Sequence, residues 1–112
     1  MNLLTSTVSF EEFSKIDIQI GKILDVEKID GSKKLLKLKI EIDSNLKQSI
    51  SGIGDIYTPE ELKSKLVAVV INLKPRKIFG LDSEVMLLAA VDGELVSVLK
   101  PDKEVKSGSK VT

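Results

Sequence analysis

The sequence predicts an all-β domain of five short strands with one small helix inserted between the third and the fourth. Three observations carry this. Residues 16–20 and 36–42 alternate apolar and polar with the two-residue period of a half-buried strand. Turn signals at Asp30-Gly31-Ser32, Ser44-Asn45-Leu46-Lys47 and Asp92-Gly93 separate runs of strand length. The internal helix start, Thr58-Pro59-Glu60-Glu61, falls between the third and fourth runs. With 112 residues, the chain fits one domain, 1–112, with a modest core.

Taken in order, Met1–Val8 is short and mostly uncharged and reads as a flexible arm. Ser9-Phe10-Glu11-Glu12 has the form of a capping box, so a short helix is expected over Phe10–Lys15. Phe10 and Phe13 share one face of it and read as packing residues. The first strand runs through Ile16–Lys28, with a bulge or sharp bend expected at Gly21. In the second, Leu36, Leu38, Ile40 and Ile42 face the core while Lys37, Lys39, Glu41 and Asp43 are solvated.

The third strand, Gln48–Ile53, is polar for a small barrel; Gln48 and its serines either line a binding face or face solvent without a partner. A brief helix follows over Pro59–Lys63. Strands four and five are the apolar runs Leu66–Ile71 and Val85–Val91, expected to be covered on both sides. Asp92-Gly93 then turns into a short strand, Leu95–Leu99. Beyond it, Lys100–Gly108 is polar and turn-rich, and Lys110–Thr112 offers a last edge strand. Five strands with a helix between the third and fourth match an oligonucleotide-binding (OB) barrel, extended here by an N-terminal helix and C-terminal strands.

Composition narrows the chemistry. Seventeen Lys and Arg balance seventeen Asp and Glu, so any polyanion site must be a local patch rather than a whole-molecule field. Without cysteine there are no disulfides or thiolates, and without histidine the commonest general base and metal ligand are missing. Scattered carboxylates such as Asp17, Asp82 and Glu84 form no catalytic or metal motif, so no catalytic residue, metal or cofactor is assigned. No apolar run approaches the ~20 residues of a membrane span, and no secretory signal opens the chain; the expectation is a cytoplasmic protein with no membrane partner.

From Leu62 to Leu81 the chain has no acidic residue but carries Lys63, Lys65, Lys74, Arg76 and Lys77. Lys74, Arg76 and Lys77 crowd around Pro75, which fixes its own φ and biases Lys74 towards extended backbone. Gly80 supplies a turn position free of Cβ restrictions. Three cations on a constrained loop suit phosphate binding, and Arg76 can also grip a phosphate bidentately or stack on a base. A second basic cluster comprises Lys28, Lys33, Lys34, Lys37 and Lys39; the loop between strands one and two borders the binding face of an OB barrel, so Lys33 and Lys34 extend the groove. A solvated charged surface is the plainer reading of both. Aromatics are too few for an extended stacking platform, so a folded RNA gripped by backbone and shape, with one base stacked on Phe79, fits better.

Asn72-Leu73-Lys74-Pro75-Arg76-Lys77, Gly80, Ser83, Met86 and Leu88-Ala89-Ala90 together resemble the transfer RNA-binding domain family, as do Phe10–Lys22, Gln48–Ile53 and Tyr57–Leu62. That family includes the carboxy-terminal domain of many bacterial methionyl-tRNA synthetases, the beta subunit of some archaeal ones and free-standing tRNA-binding proteins. The resemblance implies the OB fold and a non-catalytic module that binds tRNA, free-standing or acting in trans on a methionyl-tRNA synthetase catalytic chain. It also implies a homodimer, with 92–112 as interface. Gln48, Asn72, Ser83 and Met86 join the expected RNA contacts, although periodicity alone makes Met86 a core residue. Many members have Ser-x-Gly-Met where this chain has Ser83-Glu84-Val85-Met86, which puts a β-branched residue and a negative charge beside the expected site. A dimeric protein-interaction or chaperone-like OB domain is the alternative reading.

Overall fold

The structure is a computed structural model and describes residues 6–112. Residues 1–5 of the expected arm lie outside that range; Ser6–Val8 are exposed coil. The fold is all-β. Its main sheet is antiparallel and joins β1 (Ile18–Lys28), β2 (Leu36–Ile42), β3 (Asn45–Ser51), β4 (Leu66–Val70) and a short strand, Met86–Leu87, in the spatial order β3-β2-β1-β4-Met86–Leu87. Two hairpins leave this curled sheet: β5 (Arg76–Ile78) with β6 (Leu81–Ser83), and, after Met86–Leu87 (β7), β8 (Ala89–Asp92) with β9 (Leu95–Val98). Helix α1 (Phe10–Phe13) precedes the barrel and α2 (Pro59–Leu62) lies between β3 and β4, as the sequence predicts.

β1 serves two neighbours. Ile18–Lys22 pair with β4 and Lys22–Lys28 with β2, and the strand bends at a register shift between Ile23 and Asp25. The irregularity expected at Gly21 therefore sits at Leu24, where the extra residue bends the strand just past Lys22, the residue that both neighbours share. Gly21 is needed for a different reason: a Cβ there would stand 2.6 Å from Ile40 Cγ2. The inward residues of β2, with Ile23, Val67 and Val69, form the core, and Leu62 of α2 plugs it without exposure.

Both helices start at complete capping boxes, Ser9 with Glu12 and Thr58 with Glu61. In each the glutamate carboxyl is held below its ordinary range, first by the cap residue's amide and then by its hydroxyl. α1 stops at Phe13 and buries nothing; Phe10 and Phe13 are exposed, so the packing role expected of them is not met within this chain. The β2–β3 turn is tighter than expected. Asp43 and Ser44 both have positive φ, as a two-residue I′ turn requires, and β3 starts at Asn45 rather than Gln48.

The largest correction concerns Val85–Val91. It is not one buried strand: Val85 is core, Met86 is exposed, and the chain breaks at Leu88 before entering β8, whose four residues are all exposed. The Asp92–Leu95 hairpin is as expected, turning through Gly93. The C-terminal segment forms a single bridge, Gln19 to Lys110, flanked by backbone bonds from Ile20 to Ser109 and from Val111 to Ile18. None of the described helices is long and apolar enough to cross a membrane.

Candidate functional site

β5 and β6 pair Arg76 with Ser83, Lys77 with Asp82 and Ile78 with Leu81, and turn through Phe79 and Gly80, both at positive φ. The cationic loop expected from the sequence is thus itself a ribbon. Alternation along β5 sends Arg76 and Ile78 to one face and Lys77 to the other. Lys77 pairs there with Asp82 at 3.0 Å, whereas Lys74 and Arg76 have no carboxylate within 4 Å among the described residues.

Beneath Arg76 lies an open groove of about 660 Å³. Lys74, Pro75 and Arg76 form one wall, and Ile50, Ser51 and Met86 contribute to the floor. More of its lining is apolar than polar, so it offers an apolar surface for a base or ribose beside two cations that can take the phosphate. Met86, 47% exposed, belongs to this floor and not to the core that periodicity suggested.

The hairpin tip reaches the β1–β2 loop. A Cβ at Gly31, whose φ is +86°, would touch Phe79 Cζ at 3.4 Å, so the ring lies against a backbone that only glycine suits. Phe79 remains 58% exposed. Lys33 and Lys34 follow directly in that loop, exposed, with the Ser32 hydroxyl accepting from the amides of Lys34 and Leu35. The structure therefore brings the loop that carries Lys33 and Lys34 to the tip of the hairpin, although neither lysine lines the groove.

It separates other cations. Lys63 and Lys65 sit at the opposite end of β4, roughly 15 Å of strand away. Lys37 pairs across to Glu27 at 3.2 Å, and Lys39 stands opposite Asp25, so that part of the second cluster is balanced by carboxylates.

Three expected contact residues are engaged inside the chain. The Asn72 side chain accepts from the Asp17 amide at 2.9 Å and donates to the Lys15 carbonyl at 2.6 Å, tying the end of α1 to the end of β4. Gln48 Nε2 donates to the Asp82 carbonyl, and the Ile50 amide donates to Ser83 Oγ at 3.1 Å. Their polar atoms hold the barrel edge that carries the hairpin.

Sequence reasoning missed the lock of that edge, Glu84. Its amide donates to the Gln48 carbonyl at 2.8 Å, and its carboxylate accepts from the Gln48 amide at 2.9 Å, joining β3 to the β6–β7 connection where no ladder forms. The departure at Val85 also has a place: its side chain is 3% exposed and packs in the core, beneath the groove that the residue helps to line. Among the described residues no group of three or more His, Cys, Asp or Glu side chains could hold a metal.

Residues 18–110 match a family model described as "Putative tRNA binding domain". The chain is 49% identical over 104 residues to a methionine–tRNA ligase of Pyrococcus furiosus, covering 93% of this chain but 14% of that enzyme. It spans about one seventh of the curated ligases it matches. Among solved structures it is similar to a MetRS-related protein from Pyrococcus horikoshii, with a TM-score of 0.91, 33% identity and coverage of 96% and 100% of the two chains. It is also similar to a CsaA chaperone protein from Picrophilus torridus, with a TM-score of 0.86, 34% identity and coverage of 95% and 100%.

Proposed function

Because the chain belongs to the tRNA-binding domain family, we propose that it is a non-catalytic, cytoplasmic module that grips folded tRNA through the β5–β6 hairpin. The observation that carries this is the pair Lys74 and Arg76, without carboxylate partners among the described residues, standing over a mainly apolar groove, with an exposed Phe79 and the loop of Lys33 and Lys34 at the hairpin tip. Lys74 and Arg76 take phosphates, Met86 and Ile50 underlie a ribose or base, and Phe79 offers a stacking face. Lys77, balanced by Asp82, adds little. Gln48, Asn72 and Ser83 act by holding the hairpin's frame.

The module acts free-standing or in trans on a methionyl-tRNA synthetase catalytic chain, raising that enzyme's local tRNA concentration. It does so as a homodimer. Support for the dimer comes from an α1 that buries nothing, with Phe10 83% exposed, and from the β8–β9 ribbon, where Val91 and Leu95 are exposed; this narrows the interface expected over 92–112 to α1 and that ribbon, and leaves the polar segment 100–107 outside it. Phe10→Ser with Val91→Asp should halve the mass seen by ultracentrifugation; a wild-type monomer would refute the dimer.

The RNA reading is tested by fluorescence anisotropy with labelled tRNA across a salt series, comparing wild type with Lys74→Ala/Arg76→Ala. Loss of two phosphate contacts should make the salt slope shallower by about two. Folded wild type that binds no tRNA even at low salt would sink the reading. The likeness to a CsaA chaperone protein favours a second reading as a dimeric protein-interaction or chaperone-like module. Peptide binding that persists at high salt would select it.

A further inference from the structure

We propose that a second groove, built by β1, the α2–β4 turn and the C-terminal segment, binds another stretch of RNA phosphodiester backbone. Its volume is about 610 Å³, and it shares no residue with the groove under the hairpin. The inference rests on the tRNA-binding reading and adds to it a second point of contact.

Four lysines line this groove, Lys22, Lys65, Lys100 and Lys106, against two carboxylates, Glu41 and Glu104. None of the four is ion-paired within 4 Å among the described residues, although Lys22 stands opposite Glu41 in the β1–β2 ladder and is the most nearly balanced of them. Lys65 is steered by the Tyr57 ring, its ammonium 5.8 Å from the centroid; the other three are exposed. Unpaired lysines thus outnumber the unpaired cations of the hairpin.

The groove is also held in shape. The Ser64 amide donates to the Ile23 carbonyl at 2.7 Å and the Ile23 amide to the Lys65 carbonyl at 2.9 Å, fixing the turn onto β1. Ser107 Oγ donates to the Glu41 carbonyl at 2.7 Å and accepts from the Asp43 amide, fixing the segment that carries Lys106 onto β2. Cations on a backbone ordered in advance lose less entropy when phosphates arrive. From Lys65 to the hairpin end of β4 is about 15 Å along the strand, so the two grooves reach separate parts of a folded RNA.

An extended single strand lying only under the hairpin would not touch this second groove; a folded RNA would. The test is the same labelled tRNA and salt series with Lys100→Ala/Lys106→Ala, both in exposed coil, and with Lys22→Ala added. The expected result is a slope shallower by about one for each lysine removed, additive with the hairpin variant, and tRNA cross-linking from a photoreactive residue at position 100. An unchanged slope and no cross-link, with the hairpin variant still weakened, would overturn the second groove and leave the hairpin reading standing. Absence of any wild-type tRNA binding would overturn both. Loss of binding to a polyglutamate peptide in the lysine variants, with the tRNA slope unchanged, would assign the groove to an acidic protein segment and also overturn it.

Discussion

Replacing Glu84 should change stability and RNA affinity in opposite directions. Its carboxylate accepts from the Gln48 amide at 2.9 Å, and both residues are half-buried. Glu84→Ala leaves that N–H without a protein acceptor, a cost of about 1–3 kcal/mol when buried, and half-burial favours about 1–2 kcal/mol. For a domain of this size each kcal/mol moves Tm by about 4–6 °C, so calorimetry should record a fall of about 4–12 °C. Glu84→Gln keeps an acceptor oxygen and should lose less than about 5 °C on the same scale. Both variants remove a negative charge from the wall of the groove. At 5–10 Å from a phosphate in water, one charge is worth about 0.4–0.8 kcal/mol, so tRNA binding at low salt should tighten about two- to fourfold. If Ala and Gln destabilise equally, the hydrogen bond is not what closes the barrel. If affinity is unchanged in both, RNA does not lie in the groove.

Gly21→Ala should cost about 1–3 kcal/mol in urea unfolding, because its Cβ would meet Ile40 Cγ2 at 2.6 Å and the Glu41 carbonyl at 3.3 Å. Asn72→Ala should release α1 without unfolding the barrel; amide exchange at residues 13–17 should accelerate at least tenfold while β2 stays protected, and uniform exchange would refute the clamp. The capping carboxyls of Glu12 and Glu61 have folded pKa values below their unfolded ones, so their contribution is present above the ordinary glutamate range and lost as pH falls through the folded values. Glu61→Gln should therefore flatten the acid limb of stability measured between pH 6 and pH 3; an unaltered limb would refute that assignment.

What could be read in the sequence was local. The alternation of Leu36 to Ile42, the two capping boxes and the Asp92-Gly93 turn each depend on neighbours within a few residues, and each appears where expected. The misreadings involve partners far along the chain. Gly21 carries no mark of Ile40 packing above it, and Val85–Val91 reads as one apolar run although its first residue is core and its last three are exposed. The hairpin cations were legible because Lys74, Arg76 and Lys77 fall within four consecutive residues. Lys22, Lys65, Lys100 and Lys106 were not, since only folding of β1 against the C-terminal segment brings them together. Asn72 and Gln48 had the right chemistry for RNA contact, and nothing local shows that their amides are already used.

A chain of zero net charge can still present cationic grooves because of where its carboxylates are spent. Glu12 and Glu61 bind cap amides, Glu84 binds a strand amide, and Glu27, Asp82 and Asp17 pair with Lys37, Lys77 and Lys110. Those acids are committed to backbone donors or to lysines outside both grooves. Lys74, Arg76, Lys100 and Lys106 are left without acidic partners among the described residues, and Lys22, opposite Glu41 in the β1–β2 ladder, forms no ion pair with it. The field that results is short-ranged, since opposite charges elsewhere cancel it beyond about one Debye length, roughly 8–10 Å at ordinary salt. Association with tRNA should therefore proceed near the unsteered rate of about 10⁵–10⁶ M⁻¹s⁻¹, and added salt should act mainly by speeding dissociation. Stopped-flow association that slows steeply with salt would mean that the carboxylates do not cancel the grooves at a distance.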